Sequence, residues 1–291
     1  MPTAEKTCLS HAVPSTKEET FFRSLDVDVR EIDQHTDAIG RLRLGDLTGI
    51  IVRNVYSPEF LQLIVQRLEQ HDPPFVKTLF PEKFRSWFYG RNLNLLDVSL
   101  SQYFTEASVF HQQLEELFPE PEHGLQGRVM RVLSQLDQNR PYRAAPGIDI
   151  DDRYLITTIR GHGEGGYIAA HCDNEQTMRP GYQHLQTIVQ NHIYSVIVVL
   201  AAADEGGQLE VYDWRTEPEN ARLLNDDSVH HRPDLSQLSS VRLEARAGDL
   251  MIVDSGRYLH RVTPVIGPRV RWTLCSFMAP ARGRRAVYCW G

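Results

Sequence analysis

Cysteine is scarce in this chain: Cys8, Cys172, Cys275 and Cys289 lie far apart and form no CxxC spacing. That distribution argues against a disulfide framework and against a structural zinc knuckle, and reduced thiols are the simpler reading. Long apolar runs are also missing. No segment approaches the roughly 20 apolar residues of a membrane span, and the polar stretch from Met1 to Thr20 contains no core of signal-peptide length. A cytoplasmic protein with no membrane partner is expected. Basic residues are outnumbered, 31 against 38 acidic, for a formal net charge of −7. Such a balance offers no broad positive field to nucleic acid, so a small-molecule substrate is the expected partner. Oligomeric state leaves no mark on the sequence.

What is present suffices for a full core: 291 residues, 41% of them hydrophobic, a length that one β-barrel domain with added helices commonly uses. Residues 1–22, with Pro2, Pro14 and dense polar side chains, read as a flexible leader to a single domain over 23–291. Its first half, to about residue 150, is helical in pattern. Leu47 to Arg53 reads as a short strand. Ser57-Pro58-Glu59 then supplies an N-cap, a first-turn proline and an acid for a helix through Gln70, with Phe60, Leu61, Ile64 and Leu68 as its buried stripe. Further helices are predicted over 100–118, with Phe104, Val109, Phe110, Leu114 and Leu117 inward, and over 124–136.

From about residue 150 the apolar period changes to that of strands, at 154–160, 167–173, 195–200, 208–214, 241–244, 249–254, 260–265 and 270–278. Eight strands with Gly-rich and Asp-rich turns suggest a mainly β, jelly-roll or cupin-like barrel with N-terminal helices. The polar stretch 216–238 is a candidate lid over its mouth.

Within this half, His171 and Asp173 are two residues apart on a predicted strand, so both reach one face while Cys172 points away. With His260 from a neighbouring strand they form two imidazoles and a carboxylate, the donor set that holds non-haem Fe(II) while leaving positions open. Downstream, Arg269, Arg271 and Thr273 alternate along one strand face. A guanidinium inside an apolar barrel calls for an anionic partner, and the distal carboxylate of 2-oxoglutarate suits it. Arg271 is preferred over Arg269 because Thr273 adds a hydroxyl. Candidates for holding a primary substrate are Arg160 and His162 near the expected mouth, Asn174, Glu175, Tyr258, and the aromatic cluster Phe84, Trp87, Phe88 and Tyr89. The Gly161 to Gly166 stretch lacks a GK[ST] ending and reads as a hairpin turn rather than a phosphate loop. His230 and His231, adjacent in a polar stretch, read as solvated loop.

Residues from about 150 onward resemble the Fe(II)/2-oxoglutarate-dependent dioxygenase superfamily and its double-stranded β-helix. The matching segments are His171-Cys172-Asp173, Glu205 to Tyr212, Ala247-Gly248-Asp249-Leu250 and His260 to Gly267. The spacing from His260 through Arg271 and Thr273 to Phe277, and the ending Val287-Tyr288-Cys289-Trp290, are similar to bacterial natural-product tailoring oxygenases, including carrier-independent alkaloid halogenases. The resemblance implies Fe(II), 2-oxoglutarate and O2, release of succinate and CO2, and oxidation of an unactivated C–H bond. It also implies a choice, because those halogenases carry a small residue where this chain has Asp173. With the carboxylate present, no position is left for a halide. Hydroxylation of an amino-acid derivative or secondary-metabolite intermediate is the expected reaction, with desaturation or ring closure on the same iron, or a non-catalytic cupin-like binding module, as alternatives.

Overall fold

The computed structural model describes residues 21–93, 99–216, 233–283 and 285–291. Most of the expected leader, residues 217–232 of the expected lid, and with them His230 and His231, lie outside the described residues. Phe22, assigned to the leader from its sequence, is in fact buried, and Phe21 packs against Tyr258 at 6.4 Å between ring centroids. Two aromatic side chains in a row find more apolar contact in the core than a leader provides.

The first half runs β1 (Ser24–Asp28), α1 (Ala38–Leu44), β2 (Gly49–Arg53), α2 (Pro58–Glu69), β3 (Lys77–Leu79), β4 (Ser86–Tyr89), α3 (Leu100–Leu117), α4 (Val129–Gln135) and β5 (Tyr142–Ala144). Helix α2 begins as its sequence dictates: Ser57 Oγ accepts the Phe60 amide at 3.3 Å, and Leu61, Ile64 and Leu68 are buried. In α3 the buried set is Tyr103, Phe104, Ala107, Phe110, Leu114 and Leu117. Val109 is not in it. At 46% exposure it lies off the stripe that its neighbours Phe110 and Ala107 define. The helix expected from residue 124 starts only at Val129. A Cβ at Gly127 would come within 2.0 Å of the Pro121 carbonyl oxygen, so the chain turns tightly there instead.

The second half runs β6 (Thr158–His162), β7 (Ile168–His171), α5 (Gln183–Ile188), β8 (Tyr194–Ala201), β9 (Glu205–Gly206), β10 (Leu209–Arg215), β11 (Ser240–Leu243), β12 (Leu250–Val253), β13 (Tyr258–Val262), β14 (Val265–Ile266), β15 (Arg271–Pro280) and β16 (Val287–Trp290). Eight of these strands match the eight expected, in order. They divide between a sheet ordered β12-β8-β15-β6 and a sheet ordered β11-β10-β13-β7. Successive strands therefore cross from one sheet to the other, apart from the β10–β11 hairpin, which is jelly-roll topology. The sheets face each other over Ile197, Val199, Met251 and Cys275 on one side and Leu209, Val211, Leu243 and Tyr258 on the other. No hydrogen-bonded closure joins them among the described residues, so the barrel is an open two-sheet roll.

The first half enlarges the larger sheet rather than merely bracing it. Strands β1 and β2 extend it beyond β12, and β4 and β3 extend it beyond β6, while β16 and β5 continue it from β15. The expected aromatic cluster is thus largely strand β4. Trp87 and Tyr89 pack against Trp272 at 5.5 and 5.6 Å, and Phe88 faces Arg160.

Candidate metal centre

His171 closes β7 and His260 lies in β13, and the antiparallel register sets them directly opposite, with ring centroids 4.4 Å apart. Asp173 reaches them differently from expectation. Strand β7 ends at His171, and Asp173 opens a 3-10 turn over Asp173–Met178, so the turn and not strand parity brings its carboxylate round. One donor atom from each of the three lies within 4.8 Å of the others.

Hydrogen bonds fix how those atoms present themselves. His171 Nδ1 donates to the Ala169 carbonyl at 2.8 Å and His260 Nδ1 to the Tyr258 carbonyl at 3.0 Å. With Nδ1 engaged in this way, Nε2 is the nitrogen each ring turns towards the other two side chains, and each ring is held from behind. Asp173 is held too: its Oδ2 accepts from Ser195 Oγ at 2.6 Å, its amide donates to the Ser255 carbonyl at 2.9 Å, and Ser255 Oγ donates to Ser195 Oγ at 3.0 Å. Burial works against ionisation of Asp173, but His260, His171 and the Ser195 hydroxyl outweigh it and keep the carboxyl well below the usual carboxylate range. Burial, with His171 alongside, lowers His260 to about 4, so its ring is neutral and available as a ligand near neutral pH. For His171 the Asp173 hydrogen bond overcomes burial and raises its pKa. Two imidazoles and a carboxylate, all oriented before any metal arrives, fit Fe(II).

The three side chains open onto a pocket between the two sheets. Strand β15 lines it with alternate residues Arg271, Thr273, Cys275 and Phe277, as a strand must. Arg271 is 6% exposed, and no carboxylate pairs with it among the described residues; burial lowers its guanidinium to about 10. Arg160, opposite Thr273 on β6, lies over Phe88 at 4.6 Å and Phe277 at 5.7 Å.

Several predicted site residues are placed elsewhere. Arg269 precedes β15, in the turn after Gly267, where strand parity no longer applies; it is 64% exposed and its Nε lies 3.2 Å from Asp204 Oδ1. Asn174 Oδ1 accepts the Ile193 amide at 3.3 Å and Glu175 Oε1 accepts the Cys172 amide at 3.2 Å, so both shape the ligand-bearing turn rather than line the cavity. Tyr258 belongs to the apolar core between the sheets, with the Arg215 guanidinium 4.8 Å from its ring centroid. His162 is not at a mouth. Strand β6 continues through Gly161, where a Cβ would meet Trp87 at 2.5 Å, and buries His162 completely. Phe84 packs on Tyr167 at 5.2 Å. The sequence reading overlooked Ser195, Ile168, Leu209 and Val262 in the cavity wall. The signal for Ser195 was present: it shares strand parity with Ile197 and Val199.

A jelly roll whose cavity gathers two histidines and a carboxylate defines the class of non-haem iron oxygenases. The model of the carrier-protein-independent halogenase family WelO5 matches residues 21–291, and the chain belongs to that family. It is an enzyme of the Fe(II)/2-oxoglutarate oxygenase superfamily, with Fe(II) as metal and 2-oxoglutarate and O2 as cosubstrates. No curated protein matches the chain in sequence. Among solved structures it is similar to an N-substituted L-amino acid dioxygenase from Burkholderia ambifaria, at 16% identity and a TM-score of 0.56, over 88% of this chain and 91% of that one. The same dioxygenase in complex with α-ketoglutarate matches at 14% identity, with the same coverage and TM-score. These likenesses establish the fold. No helix among the described residues is long and apolar enough to cross a membrane.

Proposed function

We propose that this enzyme hydroxylates an unactivated C–H bond of a free small molecule, releasing succinate and CO2. The observation that carries the reading is Asp173. Its carboxylate sits among His171 and His260, is 1% exposed, and is clamped by Ser195. A third protein donor held in this way takes the position that a halide would need, which separates this chain from the halogenases its motifs resemble.

In this reading His171, Asp173 and His260 hold Fe(II). Arg271 receives the distal carboxylate of 2-oxoglutarate as a fork of N–H donors, and Thr273 adds its hydroxyl. Bound iron and cosubstrate supply the oxidation of the C–H bond. The chain's own part is to exclude water and to position the substrate. Ile168, Leu209, Val262 and Phe277 give the cavity apolar walls, and Arg160, its Nε donating to Thr158 Oγ1 at 3.2 Å, lies among them as a cationic contact for a polar end of the substrate. An amino-acid derivative suits such a wall, and the N-substituted L-amino acid dioxygenase of similar fold supports that choice.

The test is incubation of the Fe(II)-loaded protein with 2-oxoglutarate, O2 and a panel of N-substituted L-amino acids in buffer containing chloride or bromide. Succinate release with a product heavier by one oxygen atom is expected. A halogenated product would overturn the reading in favour of halogenation. The anchor has its own check: Arg271→Ala is expected to weaken 2-oxoglutarate binding roughly 30-fold or more, since losing one partner of a buried charge pair costs about 2–5 kcal/mol. An anaerobic titration of the keto-acid charge-transfer band measures it.

A further inference from the structure

His162 is completely buried, and neither of its ring nitrogens has a hydrogen-bond partner among the described residues. Buried polar groups are almost always paired, so an imidazole with both nitrogens orphaned points to a group that binds beside it.

The register says where that group lies. On β6, His162 stands directly opposite Arg271 of β15, and directly opposed residues of an antiparallel pair project to one face. That face is the interior, because Arg160, two residues back on the same strand, lines the cavity. Gly161 between them faces the other way, against Trp87. The backbone also closes in on this corner: a Cβ on Gly207 would lie 2.8 Å from Arg271 Cδ. A guanidinium with no carboxylate and an imidazole with no partner therefore share one enclosed corner. A carboxylate accepts from the guanidinium and from the one N–H of a neutral imidazole, since its two oxygens offer about four lone-pair sites.

Building on the reading of Arg271 as the cosubstrate anchor, we propose that His162 is a second anchor of 2-oxoglutarate, donating its ring N–H to the distal carboxylate that Arg271 grips. His162 thereby becomes a specificity-determining residue for a 2-oxo acid with a second carboxylate, and not a contact of the primary substrate. Burial, together with the positive charges of Arg271 and Arg160, keeps the ring neutral, and a neutral imidazole still carries the one N–H the contact requires.

The experiment is an anaerobic titration of the full-length, Fe(II)-loaded protein with 2-oxoglutarate and, separately, with 2-oxovalerate, which has the same chain length and no distal carboxylate. Wild type, His162→Phe and His162→Gln are compared. The phenylalanine variant is expected to bind 2-oxoglutarate roughly 10- to 100-fold more weakly, the loss of one hydrogen bond to a charged group, with 2-oxovalerate binding unchanged. Glutamine keeps a donor and is expected to recover most of the affinity. If His162→Phe binds 2-oxoglutarate as wild type does, or loses affinity for both acids equally, the inference is overturned while the Arg271 reading stands. If wild-type protein itself prefers 2-oxoglutarate over 2-oxovalerate by no measurable factor, both fall together. Should His162→Phe fail to fold, imidazole ¹⁵N resonances of the wild-type protein loaded with Zn(II) give the answer. The His162 N–H is expected to become protected and shifted with 2-oxoglutarate and not with 2-oxovalerate; an identical response to both would sink the proposal.

Discussion

Ser195 shows how much of this site depends on a side chain that holds another in place. Its 2.6 Å hydrogen bond to Asp173, backed by Ser255, sets the carboxylate's orientation before metal binding. Ser195→Ala is expected to lower Fe(II) affinity about 10- to 100-fold, the usual effect of removing a support of a ligand, as measured by anaerobic competition with a chelator. An unchanged affinity would mean that the turn over Asp173–Met178 alone places the carboxylate. At this scale the sequence told most where a residue's strand parity held: His171, His260, Arg271 and Thr273 all project as alternation requires. It told least at strand ends. Arg269 sits one turn too early for its parity to count, and Asn174 and Glu175, neighbours of Asp173 in sequence, spend their oxygens on backbone amides instead. His162 was misplaced because a glycine run that reads as a turn is, at Gly161, a strand position emptied to admit Trp87.

Strand β10 owes its place to its outer face as much as to its inner one. Glu210 is buried and accepts from Arg261 Nε at 2.7 Å, Arg242 Nε at 3.0 Å, Tyr212 Oη at 2.9 Å and Ser240 Oγ at 3.1 Å. These bonds tie β10 to β11 and to β13, the strand that carries His260. Burial opposes the charge on Glu210, but Arg261, Tyr212 and Arg242 prevail and hold its pKa near 2. A carboxylate with a lowered folded-state pKa stabilises the fold above its unfolded value of about 4.3, and that stabilisation disappears as the pH falls towards 2. Glu210→Gln is therefore expected to cost roughly 1–3 kcal/mol at pH 7, with the gap between variant and wild type narrowing below pH 4 in urea unfolding. A gap independent of pH would show that packing, not charge, makes the difference. The eight strands of the roll were legible because each is an alternating or apolar run bounded by turn residues. Strands β3, β4, β5 and β16 were not: each is three or four residues long, and β4, β5 and β16 each take a partner from a distant part of the chain.

The whole molecule shares one main core, which runs from Val27 through α2, α3 and α4 to Trp290. Strand β16 joins the two halves of the chain, pairing with β15 on one side and, in parallel, with β5 on the other. A single cooperative unfolding transition is expected, coincident by far-ultraviolet circular dichroism and by tryptophan fluorescence; two separated transitions would mean that the helical half folds apart from the roll. Trp290→Ala, at a fully buried position, is expected to destabilise the protein by about 3–5 kcal/mol. Around this scaffold the decisive chemical question is whether Asp173 occupies the iron. X-ray absorption at the iron edge of the anaerobic Fe(II) and 2-oxoglutarate complex, recorded with and without bromide, asks it directly. Nitrogen and oxygen neighbours alone are expected in both spectra of the wild-type protein, with a bromide neighbour gained only in Asp173→Gly. A bromide neighbour in the wild-type spectrum would contradict the proposal that this enzyme is a hydroxylase.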